Sequence, residues 1–254
     1  MKNIGIVLLA NKEYIKYFDQ IYNDLRLVGK FDGDIILLTD TQTNCKKITK
    51  IGDKNLIIKR FEKIKFPRIT LRQLNKIQYG RNKEKSFQWH KFYLFDKYFK
   101  NWDYIFYLDI NMKIKNDINP LLEKNSQNTL FAPFDGYPDL DWKLRSQFDE
   151  NNTLINELEN SYDLENPKYF QTGILFFDTN IINDDSFDNL IRLTNRFPIS
   201  KNNEQGIMNL YFLYDIPVFK RLPQSIGNSL TYSYWDPGHN QVMIIKKIKQ
   251  IRTS

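Results

Sequence analysis

The sequence predicts an α/β fold: a single domain whose central sheet is mostly parallel and is flanked by helices. Three observations predict it. Short apolar runs at Ile4–Leu9 and Asp34–Leu38 have the character of strands buried on both faces. Between them, Tyr14–Leu27 carries apolar residues at helical spacing. The order strand, helix, strand is typical of a doubly wound sheet, which binds ligands at the carboxyl ends of its strands.

The remaining elements follow in chain order. The pattern predicts strands at Lys54–Lys59, Tyr104–Leu108, Met112–Ile118, Thr129–Phe131, Phe170–Asp178 and Val242–Ile245, and helices at Phe87–Phe99, Phe187–Phe197 and Glu204–Leu213. Residues 61–78 fit neither period, and the tail from Pro217 is expected to be rich in loops. Because no repeat or linker interrupts the chain, we expect one domain over residues 1–254.

Composition narrows the classes of function. Hydrophobic residues make up 41% of the chain, enough for a packed core, so a disordered protein is not the default expectation. The net charge of +7 is spread along the sequence and forms no basic stripe or recognised nucleic-acid module, which disfavours a nucleic-acid partner. Spread charge is usually a solvated surface, but it also suits a ligand that carries a diphosphate.

Location follows from what the sequence lacks. Cys45 is the single cysteine, so no intramolecular disulfide forms and a reducing compartment fits. The apolar run Ile4–Ala10 is too short for a signal peptide, and no stretch approaches the roughly 20 apolar residues that cross a bilayer. We therefore expect a soluble, cytoplasmic protein without a membrane partner.

The strongest candidate site is Asp109-Ile110-Asn111, directly after the buried strand Tyr104–Leu108. Side chains at i and i+2 of an extended segment point to the same side, and a strand end faces the ligand crevice of an α/β fold. Oxygen ligands there hold Mg²⁺ or Mn²⁺ beside a diphosphate. On the local pattern alone, this site and an ordinary turn remain equally open.

Other candidates are weaker alone. Lys91 lies one turn from Phe87 and Phe95, so it either extends to solvent or meets an anion, and the pattern slightly favours solvent. Gln171 and Thr172 precede a predicted strand, with Gly173 permitting close backbone approach. Glu204 and Gln205 begin a helix, where an acidic residue is often only a dipole partner. The two histidines, His90 and His239, are interpreted as structural.

Taken together and in this order, the segments resemble the glycogenin-like family 8 glycosyltransferases. The resemblance is carried by Leu8-Leu9-Ala10-Asn11 with Tyr14, Lys91, Tyr107-Leu108-Asp109-Ile110-Asn111, Phe170-Gln171-Thr172-Gly173, Glu204-Gln205-Gly206, Leu222-Pro223 with Asn228, and Tyr232-Ser233-Tyr234. It implies the GT-A fold, with a nucleotide-binding half at 1–111 and a half for donor sugar and acceptor at 112–254. It also implies retaining transfer of a hexose from a UDP-sugar, glucose first among them.

The resemblance implies roles for particular residues. The donor-binding set is Leu9, Ala10, Asn11, Tyr14, Lys91, Asp109, Ile110, Asn111, Gln171, Thr172, Gly173 and Lys246. The catalytic set is Glu204, Gln205 and Asp135. Glu204 would stabilise an oxocarbenium-like centre or act as a transient nucleophile.

Two departures from the family pattern concern the metal. Asn111 stands where the family keeps the second metal-binding Asp, and Lys246 stands in place of a segment that carries the family's His ligand. An amide and a lysine are poor ligands for a hard dication, whereas Lys246 or Lys247 would neutralise a diphosphate directly. Asp109 and Asn111 are therefore weak metal ligands, and activity without Mn²⁺ or Mg²⁺ is favoured.

Acceptor and activity stay open. A glycogenin-like enzyme would glucosylate a tyrosine of its partner in a homodimer and then extend a glucan; a separate protein or glycan acceptor is the alternative. The altered residues Asn111 and Lys246 would also suit a catalytically silent module that only binds a sugar nucleotide.

Overall fold

The computed structural model describes residues 2–77, 86–135, 142–235 and 241–247, the last of these without the side chain of Lys247. A seven-stranded sheet forms its centre. In spatial order the strands are β3 (Leu56–Phe61), β2 (Asp34–Asp40), β1 (Ile4–Ala10), β4 (Tyr104–Asp109), β7 (Ile174–Asp178), β6 (Leu130–Ala132) and β8 (Phe219–Arg221). Within this sheet only β7 runs against the others, which confirms the predicted mostly parallel α/β architecture.

Both faces of the sheet are covered, because alternate residues of each strand enter different apolar layers. On β1, Val7 joins one layer and Leu8 the other, and both are fully buried. The helices are α1 (Phe18–Asn23), α2 (Arg68–Ile77), α3 (Asn119–Leu122), α4 (Leu154–Ser161), α5 (Ser186–Arg196) and α6 (Glu204–Leu210). The first layer contains residues of α2, α4, α5 and α6, and the second those of α1 and α3.

A second sheet of four strands packs on the second layer. Its spatial order is β5 (Lys113–Ile114), β11 (Val242–Lys247), β10 (Ser229–Trp235) and β9 (Ser225–Ile226). The predicted strand at Met112–Ile118 shrinks to β5 and pairs with β11, because a turn separates it from β4. The loop-rich tail was a wrong prediction: β8, β9 and β10 lie within it.

Several helices are less regular than their spacing predicts. Tyr14–Leu27 divides into a 3₁₀ turn, α1 and a π-helical turn at Asp24–Val28, and the helix that begins at Glu204 becomes π-helical at Tyr211–Asp215. The predicted helix Phe87–Phe99 consists of two 3₁₀ helices, Ser86–Phe95 and Lys97–Asn101. They break at Asp96, whose carboxylate accepts from the Tyr98 N–H at 2.8 Å as a helix cap.

Two strands begin later than the sequence predicts, and one segment that the pattern left unassigned contains a helix. The strand expected from Phe170 starts only at Ile174, the third strand lies two residues later than predicted, and α2 occupies most of the segment without a clear period. Within the described ranges, every helix is too short or too polar to cross a bilayer.

Candidate active site

The carboxyl ends of β1 and β4 form one edge of the large sheet, because the two strands are parallel and Leu9 pairs in register with Asp109. Ala10 ends β1, and its carbonyl accepts from the Thr39 hydroxyl at 2.7 Å. The Asn11 carboxamide then accepts from the Tyr14 N–H at 3.0 Å, which fixes the turn that follows. The residues expected to hold the nucleoside therefore lie at the same edge as Asp109.

Lys91 is the centre of a buried ion cluster. Its Nζ lies 2.8 Å from Glu204 Oε1 and 3.2 Å from Asp109 Oδ1, and it donates to the Thr172 carbonyl at 3.0 Å. Only 2% of the Lys91 side chain is exposed, so the local preference for solvent was wrong. The reason is that the 3₁₀ segment buries Lys91 among aromatic residues, where an ammonium requires carboxylate partners.

Asp109 is held in its ionised form. Its Oδ1 accepts from the Tyr107 hydroxyl at 2.8 Å, and its Oδ2 contacts the ammonium of Lys246. Burial alone raises the pKa of Asp109, but the charges of Lys246 and Lys91 outweigh burial and hold this pKa below its ordinary value. Burial and the neighbouring Asp109 raise the pKa of Tyr107 well above its ordinary value, so its hydroxyl stays protonated and donates.

The chain turns immediately after Asp109. The Met112 N–H donates to the Asp109 carbonyl at 3.0 Å, and Ile110 is buried in the second apolar layer. Asp109 and Asn111 are therefore not neighbours along one extended face, contrary to the prediction from i and i+2 spacing. The Asn111 side chain is half-buried and makes no hydrogen bond with the part of the chain that the structure describes.

The described residues around Asp109 do not fit a divalent cation. One carboxylate oxygen faces Lys91 and the other faces Lys246, and two ammonium groups repel a dication. Among the described residues, no group of three His, Cys, Asp or Glu side chains is arranged to bind a metal. Hard dications require several oxygen ligands, which the part of the chain described around Asp109 does not supply.

The segment before β7 completes the cluster. The Thr172 hydroxyl donates to Glu204 Oε1 at 2.7 Å, and the backbone N–H of Thr172 donates to Gln205 Oε1 at 3.2 Å. A Cβ on Gly173 would lie 3.0 Å from Met112 Cε and 3.3 Å from Asp109 Oδ2. This close approach gives a physical reason for glycine at the position.

Glu204 is 1% exposed and begins α6. Its Oε1 receives Lys91 and Thr172, whereas its Oε2 is buried with no hydrogen-bond partner among the described residues. Buried carboxylate oxygens are normally satisfied, so this oxygen can still accept a hydrogen bond from a donor outside the described residues. Glu204 does more than interact with the helix dipole, because it forms a buried ion pair with Lys91.

A second polar cluster lies beside the first. Gln205 Nε2 donates to Asp135 Oδ2 at 3.0 Å, and Gln147 Nε2 donates to the same oxygen at 3.2 Å. Burial raises the pKa of Asp135, although hydrogen bonds from Tyr169, Gln205 and Gln147 act to lower it. Gln147 was not a sequence candidate, because it lies in a short 3₁₀ turn with no recognisable motif.

The remaining sequence candidates are placed as follows. Gln171 is half-buried and follows Phe170, whose backbone N–H and carbonyl are both bound by the side chain of Asn209, at 2.8 and 2.7 Å. His90 is buried and stacks on Phe87 with ring centroids 4.3 Å apart, consistent with a structural role. His239 and the side chain of Lys247 lie outside the described residues.

The buried carboxylates, amides and lysines lie at the carboxyl edge of the parallel strands, where α/β folds bind their ligands. The sequence profile of glycosyl transferase family 8 matches residues 5–239, and the chain belongs to that family. It is therefore a glycosyltransferase by family. A comparison with curated protein sequences finds no match.

Solved structures show the same fold. The galactosyltransferase LgtC, in complex with donor and acceptor sugar analogues, superposes with a TM-score of 0.61 at 13% identity, over 90% of this chain and 75% of LgtC. The bifunctional glycosyltransferase WbbM superposes with a TM-score of 0.61 at 14% identity, over 96% of this chain and 45% of WbbM. The glycosyltransferase GlyE from Streptococcus pneumoniae superposes with a TM-score of 0.53 at 16% identity, over 88% of this chain and 46% of GlyE. At these identities the likeness concerns the fold, which is of the GT-A type.

Proposed function

We propose that this protein is a retaining glycosyltransferase that transfers a hexose, with glucose the first candidate, from a UDP-sugar to an acceptor hydroxyl. The observation that carries the proposal is the buried cluster in which Lys91 joins Asp109, Thr172 and Glu204 at the carboxyl edge. In the reaction, the bond between the anomeric carbon and the diphosphate oxygen breaks with its electron pair on that oxygen. The acceptor oxygen bonds to the same carbon, and its proton passes to the departing diphosphate.

The donor is proposed to lie along the edge from β1 to β7. Leu9, Ala10, Asn11 and Tyr14 would bind the uridine, and Asp109 would receive the ribose and diphosphate. The pairing of Leu9 with Asp109 supports this order, because it puts the residues proposed for the uridine beside the carboxylate proposed for the ribose and diphosphate. The donor sugar would then lie between Thr172 and the amides of Gln171 and Gln205.

Glu204 is proposed to face the anomeric carbon. Its unpartnered Oε2 supports a direct interaction with the donor sugar, either as a charge that stabilises the oxocarbenium-like centre or as a transient nucleophile. Asp135 and Gln205, joined at 3.0 Å, would hold hydroxyls of the sugar.

We further propose that Lys246 takes the role that a metal has in other members of the family, so that activity does not depend on Mn²⁺ or Mg²⁺. The contact of Lys246 with Asp109 supports this, since it provides a fixed positive charge at the strand end. The charges are also consistent: a dication with two aspartates is neutral, and so is Lys246 with Asp109 and the uncharged Asn111. Lys91 is shared by two carboxylates, whereas Lys246 contacts one among the described residues, which makes Lys246 the better candidate for a cation that binds the diphosphate.

A substitution at Lys246 tests this role. Lys246→Met is expected to weaken UDP binding about tenfold or more, because hydrogen bonds to charged groups are worth about 1.5–3 kcal/mol. The measurement is titration calorimetry with UDP in EDTA. Lys124→Met, at an exposed lysine beyond α3, is the matched control and is expected to bind UDP like the wild type. Unchanged UDP affinity in Lys246→Met would contradict the role.

The acceptor is proposed to be a tyrosine of this protein, in the partner of a homodimer, followed by the growing glucan. Intact mass spectrometry after incubation with UDP-glucose tests it. A ladder of hexose increments in the wild type, absent in Glu204→Gln, supports self-glucosylation. An unchanged mass together with release of UDP favours a separate protein or glycan acceptor.

A silent sugar-nucleotide-binding module is the second candidate. It is favoured by the direct pairing of Lys246 with Asp109, which leaves both groups already satisfied. Binding of UDP-glucose without either transfer or hydrolysis, over a range of acceptors, would select this alternative over an active enzyme.

A further inference from the structure

Two strands of the second sheet present polar side chains to Asp109. Tyr232 on β10 pairs in register with Ile244 on β11, and Lys246 follows Ile244 by two residues. Side chains at i and i+2 of a strand share a face, as do laterally paired residues. Tyr232 and Lys246 therefore lie on one face, and the contact of Lys246 with Asp109 shows that this face is turned toward the strand end.

The hydroxyl of Tyr232 has no hydrogen-bond partner in the part of the chain that the structure describes. The residue is 5% exposed, and its Oη is buried without a hydrogen bond to any of the residues that the structure describes. Buried hydroxyls in folded proteins are nearly always paired, because water can no longer satisfy them. An orphaned hydroxyl in a binding site is explained when a ligand supplies the missing partner.

The surroundings of this hydroxyl are those of the donor site. The charges of Asp109 and Asp135 act on Tyr232, and the Gln171 amide lies near it without hydrogen-bond geometry. Burial and these carboxylates raise the pKa of Tyr232 well above its ordinary value. The group is therefore a neutral O–H at neutral pH, and it is available as a donor.

We propose that the Tyr232 hydroxyl donates a hydrogen bond to the diphosphate of the donor and, with Lys246, stabilises the charge that develops there when the sugar leaves. The inference rests on the proposed transferase function and adds a residue to it. The bond between the anomeric carbon and the phosphate oxygen breaks, and the electron pair stays on that oxygen. The acceptor's proton neutralises the oxygen, while Tyr232 keeps its own proton throughout.

Tyr232→Phe in the full chain tests the proposal, because it removes only the hydroxyl. The measurements are the affinities for UDP and for uridine, steady-state turnover of UDP-glucose, and the melting temperature. We expect UDP binding about tenfold weaker and kcat about 10- to 100-fold lower, since a hydrogen bond to a charged group is lost. Uridine affinity is expected to be unchanged, because uridine has no diphosphate.

Stability separates this role from a structural one. Removing a buried hydroxyl that has no partner relieves an unfavourable burial, so the melting temperature is expected to be unchanged or higher. Tyr104→Phe is the matched control: Tyr104 is 4% exposed, lies in the same apolar layer and starts β4, at the opposite end from Asp109. Its turnover and UDP affinity are expected to match the wild type.

Each of the other outcomes overturns either the role of Tyr232 or the proposed function as well. If the wild type turns over UDP-glucose and Tyr232→Phe does so equally well with equal UDP affinity, the role of Tyr232 is wrong and the transferase function stands. A lower melting temperature with parallel losses of UDP and uridine affinity means a structural hydroxyl, which also overturns the inference. If the wild type binds no UDP at all, the proposed function and the inference both fail.

Discussion

Lys91→Met is the substitution that the buried ion cluster predicts most sharply. Methionine keeps much of the length of the side chain and removes the charge. Asp109 would retain Lys246 as a partner, but Glu204, which is 1% exposed, would keep only the Thr172 hydroxyl among the described residues. Removing one partner of a buried ion pair costs about 3–5 kcal/mol, because a charge is left buried without compensation.

Urea denaturation gives the free energy of unfolding for this series. Glu204→Gln in the Lys91→Met background removes the uncompensated charge, and we expect it to restore more than half of the lost stability. Glu157→Gln is the surface control, since the Arg196–Glu157 pair is about half exposed on each side and such pairs contribute about 0–1 kcal/mol. A loss below about 1 kcal/mol in Lys91→Met, with no coupling to Glu204, would refute the buried cluster.

Three further predictions concern packing, pH and the metal. Gly206→Ala should destabilise by about 1–3 kcal/mol in urea melts, because the new Cβ would lie 2.9 Å from Phe148 Cε1; a more stable variant would show that the helix can shift. Burial lowers the pKa of His90 to about 4, whereas the pKa in the unfolded chain is near 6.5. Between these two values the unfolded chain binds more protons than the folded protein, so the free energy of unfolding falls as the pH falls. The loss from pH 7 to pH 5 should be about 2 kcal/mol, and His90→Phe should abolish that part of the slope; an unchanged slope would mean an exposed or charged imidazole. Asn111→Asp combined with Lys246→His restores the metal-ligand types of the family. We expect Mn²⁺ to raise the melting temperature of this double variant and to leave that of the wild type unchanged. Equal shifts in both proteins would contradict the claim that Asn111 and Lys246 are poor metal ligands.

The central strands were predictable because strands buried on both faces consist of consecutive apolar residues. β1, β2 and β4 are buried on both faces and appear as short apolar runs of strand length that end at polar residues. β8 and β9 were missed because they are two or three residues long and partly exposed, so no period distinguishes them from loop. Their existence depends on pairing with distant strands, which local patterns do not record.

The site was predictable where a strand or helix boundary carries a polar residue. Asp109, Thr172 and Glu204 were found in this way, and the structure brings them together through Lys91. The burial of Lys91 itself was not predictable from its helix face, because the two carboxylates that compensate it come from other parts of the chain.

Two residues show the limit more plainly. Gln147 lies in an unremarkable turn, and its importance follows only from its contacts with Asp135 and Gln205. Tyr232 was part of a recognised segment, but an unpartnered hydroxyl is a property of three-dimensional packing that no sequence pattern encodes.

Turnover of UDP-glucose by the wild-type protein in EDTA, compared with turnover after addition of Mn²⁺, tests the central claim most directly. A donor site built on Lys246 and Asp109 predicts equal rates under the two conditions. Complete loss of turnover in EDTA, restored by Mn²⁺, would contradict it and would return Asp109 to the role of a metal ligand.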